Sequence, residues 1–263
     1  MNDSTAGSVT RERRDHVFLI GLNRVAKRNA FDAEMLFDLS SALGEYERSS
    51  ELRCALVFAH GEHFSAGLDL MALAPKMASG TLSYPSEGLD PFAVSGPLRR
   101  KPLMVAAQGA CFTAGLDLLL AADIALAADS ARFSQTEVLR GITPSGGASI
   151  RFTRAAGWSD AMRYMMTGEE FSASEALRMR LVSEVVPAAQ LLERAVALAQ
   201  QVAQAAPLGV RALMESAHQA HAEGEAAALA ALMPRLMGLL KTQDLREGVV
   251  AMMQRRTPVF KGE

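Results

Sequence analysis

Asp117 and Glu137 are the two side chains in this sequence whose type and setting best suit proton transfer. Asp117 ends the run Gln108-Gly-Ala-Cys-Phe-Thr-Ala-Gly-Leu-Asp117, and twenty residues later Phe133-Ser-Gln-Thr-Glu137 carries the second acid, ahead of Gly141-Ile-Thr-Pro-Ser-Gly-Gly147. Two carboxylates in one site can divide general-acid and general-base work between them. Taken singly, each has an ordinary alternative: an Asp in a first helical turn commonly just complements the helix dipole, and a Glu is most often solvated. Two turns rich in small residues, Phe64-Ser-Ala-Gly-Leu-Asp69 and Gln108 to Asp117, follow apolar runs. Turns of this build leave main-chain N–H groups without partners, and two of them could point at one carbonyl oxygen and hold charge developing there. A plain strand-to-helix turn is the alternative for each.

Other reactive side chains lead nowhere. His60-Gly-Glu-His63 lacks the spacing of a helical zinc pair and reads as surface histidines. Cys54 and Cys111 sit in apolar runs without metal-ligand or C-x-x-C spacing, as buried free thiols of a reducing compartment do. Ser145 lies in no G-x-S-x-G elbow, and neither a G-x-G-x-x-G after a strand nor a G-x-x-x-x-G-K-[ST] occurs. The sequence thus offers no serine hydrolase, no nucleotide cofactor and no metal site.

The elements that must position the acids alternate. Residues 16–22, 54–59 and 103–107 read as strands, the last two apolar enough for burial on both faces. Between the first two, Met35, Leu36, Leu39, Leu43 and Tyr46 recur at helical spacing behind Asp32, a suitable N-cap. This is β/α architecture. Residues 71–100, broken by Pro75, Gly80, Pro85, Gly88, Pro91, Gly96 and Pro97, are expected to form a long mobile loop. Its Met77, Leu82, Tyr84 and Phe92 could close over a pocket as a lid. From Gly157 the composition turns helical, with helices expected over 188–206, 207–221, 224–241 and 242–255.

Bulk properties exclude several classes of function. The 263 residues are 49% hydrophobic and 21% charged, which suits one main folded domain with a helical tail. A net charge of −2 and a pI near 6.2 provide no cationic field for a nucleic acid backbone or an anionic membrane. No secretory h-region and no apolar run of spanning length is present, so the expected location is cytoplasmic.

The two turns, the paired acids and the glycine-rich turn after them resemble the enoyl-CoA hydratase/isomerase (crotonase) superfamily, in order and over nearly the whole chain. Leu22-Asn23-Arg24, Lys27-Arg28-Asn29-Ala30, Ala122-Asp123-Ile124 and the stretch from Arg256 to Lys261 fit as well. The resemblance implies an α/β fold, a crotonase-like spiral of β-β-α repeats occupying residues 1–200 and carrying the acyl-CoA site. A C-terminal helical trimerisation region over 201–263 would cap it, giving homotrimers or dimers of trimers. It implies an oxyanion hole made by the backbone N–H groups of Leu68 and Ala114, and catalytic acids at Glu137 and Asp117. Lys27 or Arg28, Ala66, Phe260 and Lys261 would bind the CoA, which enters as part of the substrate; no separate cofactor, nucleic acid or membrane partner is expected.

Two positions depart from the pattern. Ala114 stands where Gly is usual, which is tolerable only if its φ stays negative. Asp117 stands where hydratases usually carry Glu; it is one methylene shorter, and a displacement of about 1 Å can cost around a hundredfold in rate. The leading expectation is hydration of a 2-enoyl-CoA, with double-bond isomerisation or a catalytically idle acyl-CoA-binding role as alternatives. Some dienoyl-CoA isomerases with Asp and Glu at the two sites add a third acid eight residues on, where this chain has Ser145.

Overall fold

The computed structural model describes residues 6–263, the side chain of residue 77 excepted. Two strand stacks run through it. The larger is a six-stranded sheet in the order β1-β2-β3-β4-β6-β9, formed by β1 (Ser8–Arg14), β2 (Val17–Asn23), β3 (Cys54–Ala59), β4 (Leu103–Ala107), β6 (Ile124–Ala128) and β9 (Glu184–Val186). Only β1 and β2 pair antiparallel; every later pair is parallel. The expected strands at 54–59 and 103–107 are present, and the expected 16–22 strand is β2, one residue later. Their unbroken apolar runs follow from burial on both faces, because α7 (Leu191–Gln204) packs on β2, β3, β4 and β6. The division expected at 200/201 falls inside this helix.

The second stack consists of β5 (Ala110–Phe112), β7 (Arg132–Ser134) and β8 (Phe171–Ser172), extended by single bridges Ser65↔Cys111 and Phe31↔Leu68. Each level of the spiral therefore has a long strand in the large sheet, a short one in this stack, and then a helix. Helix α1 (Ala33–Arg48) follows residue 31, α2 (Leu70–Ala78) follows residue 68, and α3 (Ala114–Ala121) follows β5. Asp32 caps α1 as expected, accepting from Met35 N at 2.9 Å.

Buried charge ties the first two levels together. Arg24 pairs through Nε with Asp32 at 3.1 Å and through Nη1 with Asp69 at 2.9 Å. Asn29 accepts from Arg24 N at 2.7 Å and donates to the carbonyls of His60 and His63, both at 2.8 Å.

The loop expected over 71–100 needs correction. It opens as helix α2, because Asp69 caps the first turn, accepting from Ala72 N at 3.2 Å through its side chain and from Leu73 N at 2.9 Å through its carbonyl. Buried Leu73 holds that helix to the core, and Pro75 costs it only the one bond its missing N–H would make. Residues 79–102 carry no helix or strand.

Helices also begin earlier than the composition indicated: α4 (Ala148–Ala156) precedes α5 (Trp158–Thr167), and α6 (Ala173–Arg178) leads to β9. The tail continues as α8 (Pro207–Glu223), α9 (Glu225–Leu239) and α10 (Gln243–Gln254), with α8 and α9 packed on one another. Among the described residues, no helix is long and apolar enough to cross a membrane.

Candidate active site

The bridge Ser65↔Cys111 sets the geometry of the site. Leu68 and Ala114 each lie three residues beyond it, on neighbouring parallel levels spaced about 4.8 Å apart. On the first level, Phe31 donates to Gly67 O at 2.8 Å and accepts from Asp69 N at 2.9 Å. In a parallel ladder this turns the Leu68 N–H to the opposite side. On the second level, Ala114 is the first residue of α3, whose first intrahelical bond runs from Asp117 N to Thr113 O at 2.9 Å. Neither the Leu68 nor the Ala114 amide has an acceptor among the described residues.

Both residues border a cavity of about 370 Å³, with Ala66, Asp117 and Glu137 also in its lining. Leu36, Leu73, Tyr84, Phe92 and Ile142 make much of its wall apolar. The expected pocket residues Leu82, Tyr84 and Phe92 line it; the side chain of Met77 lies outside the described residues.

Asp117 sits one turn into α3 and is clamped by the glycine-rich turn. Its Oδ1 accepts from Ala148 N at 2.8 Å, and a Cβ added to Gly146 would fall 2.6 Å from its Cβ, Cγ and Oδ2. Only glycine lets that turn approach. Glu137 opens a 3-10 turn, Glu137–Arg140, directly after β7. Both acids are buried, at 2% and 7% exposure, well short of the solvated carboxylate that either residue type would suggest alone.

Burial raises both above the usual carboxylate range. Asp117 is pushed up to about 6, against the lowering effect of the Ala148 and Gly146 amides, the Arg151 charge and Gln135. Glu137 is pushed up to about 7, first by burial and then by the neighbouring Asp117, opposed by its own amide and by Arg140.

Gln135, fully buried, is a site residue that sequence reasoning missed. With its amide oriented to satisfy its neighbours, the nitrogen lies 3.2 Å from each Glu137 carboxylate oxygen and 3.3 Å from Thr113 O. It stands two residues before a candidate acid on a strand end, which is the one signal in the sequence that could have pointed to it.

Thr113 was missed too. Ala114 has a negative φ, so its side chain is accommodated; the positive φ falls instead on Thr113, at φ 48° and ψ −116°. A non-glycine residue there costs about 1–3 kcal/mol and persists where surrounding bonds over-determine it. Here Thr113 N donates to Ser134 O at 2.8 Å while its carbonyl accepts from Asp117 N.

The four basic or aromatic candidates for CoA do not line this cavity. Arg28 is adjacent: its carbonyl accepts from Ala66 N at 2.9 Å, and both Lys27 and Arg28 are exposed. Phe260 and Lys261 lie on the terminal segment, where Phe260 O accepts from Arg53 at 2.6 Å and Asp244 accepts from Lys261 N at 2.7 Å. Lys261 borders a different cleft with Arg53, Lys101 and Arg211.

The remaining side chains are structural. His63 Nδ1 accepts from Ala110 N at 3.2 Å, and His60 Nε2 meets Thr10 Oγ1 at 2.8 Å. Cys54 and Cys111 are buried free thiols, and burial pushes the Cys54 thiol up to about 12. Among the described residues, no group of three or more His, Cys, Asp or Glu is placed to hold a metal.

The sequence profile described as "Enoyl-CoA hydratase/isomerase" matches residues 12–263, essentially the whole spiral and its tail. The chain belongs to that family. It is 33% identical to "2,3-dehydroadipyl-CoA hydratase" of Escherichia coli (strain K12) over 250 residues, covering 95% of this chain and 97% of the relative. "Carnitinyl-CoA dehydratase" of Salmonella typhi is 33% identical over 259 residues, with 95% and 97% covered. Among solved structures, a probable enoyl-CoA hydratase/isomerase from Mycobacterium abscessus superposes with a TM-score of 0.95 at 46% identity, over 97% of this chain and 99% of that one. Enoyl-CoA hydratase from Bacillus anthracis gives 0.88 at 28% identity, over 97% and 100%. The fold is therefore the crotonase spiral, and the chain is an enoyl-CoA hydratase or isomerase.

Proposed function

We propose that the chain hydrates the 2,3 double bond of a 2-enoyl-CoA. One observation carries this reading: two buried carboxylates, Asp117 and Glu137, line the same cavity that Leu68 and Ala114 border, with Gln135 beside Glu137. The thioester oxygen accepts from the two amides, which draws electron density from C3 and steadies the enolate. Asp117 as carboxylate takes a proton from water while the water oxygen bonds to C3. Glu137 as carboxylic acid delivers its proton to C2, and the enolate electrons close back onto the carbonyl. The raised acidity range of both groups supports this division, since one must be ionised and the other protonated near neutral pH. Relatives named hydratase and dehydratase accord with it.

In this reading Lys27, Arg28 and the backbone at Ala66 bind the CoA moiety beside the cavity. Phe260 and Lys261 stand instead with Arg53 and Lys101, beside the starts of β3 and β4 and away from the strand ends that carry the cavity. Helices α8 to α10 join three chains.

A second reading, double-bond isomerisation, draws on one feature: Asp117 is short and held by Ala148 N, which leaves Glu137 to shuttle a proton between C2 and C4 alone. Offering crotonyl-CoA and a 3-enoyl-CoA separates the two. Loss of the conjugated enoyl absorbance with crotonyl-CoA, abolished by Glu137→Gln and lowered by Asp117→Asn, is the expected result. Turnover of the 3-enoyl substrate alone would replace hydration by isomerisation.

A further inference from the structure

The hydroxyl of Thr113 is a polar group of the cavity lining to which hydration as proposed assigns no role. Its backbone is committed on both sides: the N–H to Ser134 O, the carbonyl to Asp117 N and to the Gln135 amide. The main chain is held at positive φ, and the side chain reaches across to the first turn. There it meets Gly67, where an added Cβ would fall 1.7 Å from Thr113 Oγ1. Gly67 itself has φ +96°, and these two left-handed residues face each other across the two amide-bearing turns.

The consequence is positional. Gly67 precedes Leu68 and Thr113 precedes Ala114, so covalent geometry places Thr113 Oγ1 within about 5 Å of both amide nitrogens. Thr113 lines the cavity, and its Oγ1 makes no hydrogen bond among the described residues. Nor is it one of the buried atoms left without a partner, so it is open to the cavity. A strained residue held by its surroundings, with its only free polar atom beside two unused donors, is placed to act on a ligand.

We propose that Thr113 Oγ1–H is a third hydrogen-bond donor to the thioester oxygen, acting with the Leu68 and Ala114 amides. It is then a catalytic residue of this chain's oxyanion hole. The proposal rests on the acyl-thioester reading of the cavity. It also accounts for a strained threonine at a position where glycine would fit without cost.

The test uses Thr113→Val, which keeps the shape, Thr113→Ala, Thr113→Ser, which keeps the hydroxyl, and Thr113→Gly. Four quantities are read: kcat and KM with crotonyl-CoA, the pH at which bound acetoacetyl-CoA shows the near-ultraviolet absorbance of its enolate, and the melting temperature. Loss of the donor in the Val and Ala variants should lower kcat about tenfold or more with KM little changed, and move enolate formation to higher pH. The Ser variant should restore most of both. Thr113→Gly should raise the melting temperature by a few degrees while losing kcat, a combination that a purely structural role does not give.

A Val variant equal to wild type in kcat and in the enolate shift overturns the proposal and leaves the thioester reading standing. So does a Ser variant that falls as far as Val. A wild-type protein that forms no enolate from bound acetoacetyl-CoA sinks the thioester reading itself, and the third donor with it.

Discussion

In the proposed hydration Glu137 and Asp117 act through their protonation, and pH profiles read this directly. For hydration Asp117 must be ionised and Glu137 protonated. With the two pushed up to about 6 and about 7, kcat/KM for hydration should rise through pH 6 and fall through pH 7. Isomerisation, which begins with Glu137 as base, should only rise. Arg140 lowers Glu137, so Arg140→Gln should move the alkaline limb of hydration upward. The same burial has a stability cost of definite sign. A carboxyl whose folded-state pKa lies above its unfolded value contributes stability present below pH 4, which is lost as pH rises through about 7. Glu137→Gln should therefore raise the melting temperature more at pH 8 than at pH 5, measured by calorimetry. The two acids were legible as candidates only through the family resemblance, since a first-turn Asp and a lone Glu each have a commoner ordinary role. Gln135 and Thr113 were not: one is an ordinary polar residue just beyond β7, and the other gains its interest from a φ angle no composition reveals.

At the scale of elements, turns and caps position the chemistry. Gly146→Ala would put a methyl 2.6 Å from Asp117, whose own Cβ and Cγ cannot move far on a helix. Crotonyl-CoA hydration should fall about ten- to a hundredfold, as a displacement of about 1 Å would give, and the melting temperature should drop by a few degrees, since overpacking a buried site costs about 1–3 kcal/mol. Arg24→Met would strand Asp32 and Asp69 and loosen both helix starts together. A loss of about 3–5 kcal/mol is expected from denaturant unfolding, as for a buried pair stripped of one partner. Strands β2, β3 and β4 were legible because burial on both faces makes an unbroken apolar run; β6, whose Ala-rich run follows α3 after only Ala122 and Asp123, and the three-residue β9 were not read. Strands β5, β7 and β8 are three residues or fewer, too short for any periodicity, and β1 is an exposed edge whose Arg and Glu residues hide it. Helix α2 was hidden by Pro75, while its cap Asp69 was read only as part of a turn.

For the whole molecule, the tail is the part with most left to cover. Leu229, Met233, Met237 and Met252 are half to three-quarters exposed along α9 and α10, apolar side chains of the kind a partner chain covers. If three chains join there, light scattering should give three times the 28.1 kDa chain mass, and Met233→Glu with Met237→Glu should yield single chains. A wild-type mass of one chain would refute the trimer. Nothing in the periodicity of those helices showed which face was solvent and which was partner, since methionines fill cores and contacts alike.

The equal three-residue offset from Ser65 and Cys111 bears on inheritance. A hydrogen-bonding pair set by sheet register is indifferent to which side chains occupy positions 68 and 114, proline excepted. Substitution at those two sites leaves the N–H groups in place so long as the new side chain fits the space of buried Ala114 and half-buried Leu68. Inserting or deleting one residue between 65 and 68, or between 111 and 114, would swing an amide off target and silence the enzyme where a replacement that fits would pass unnoticed.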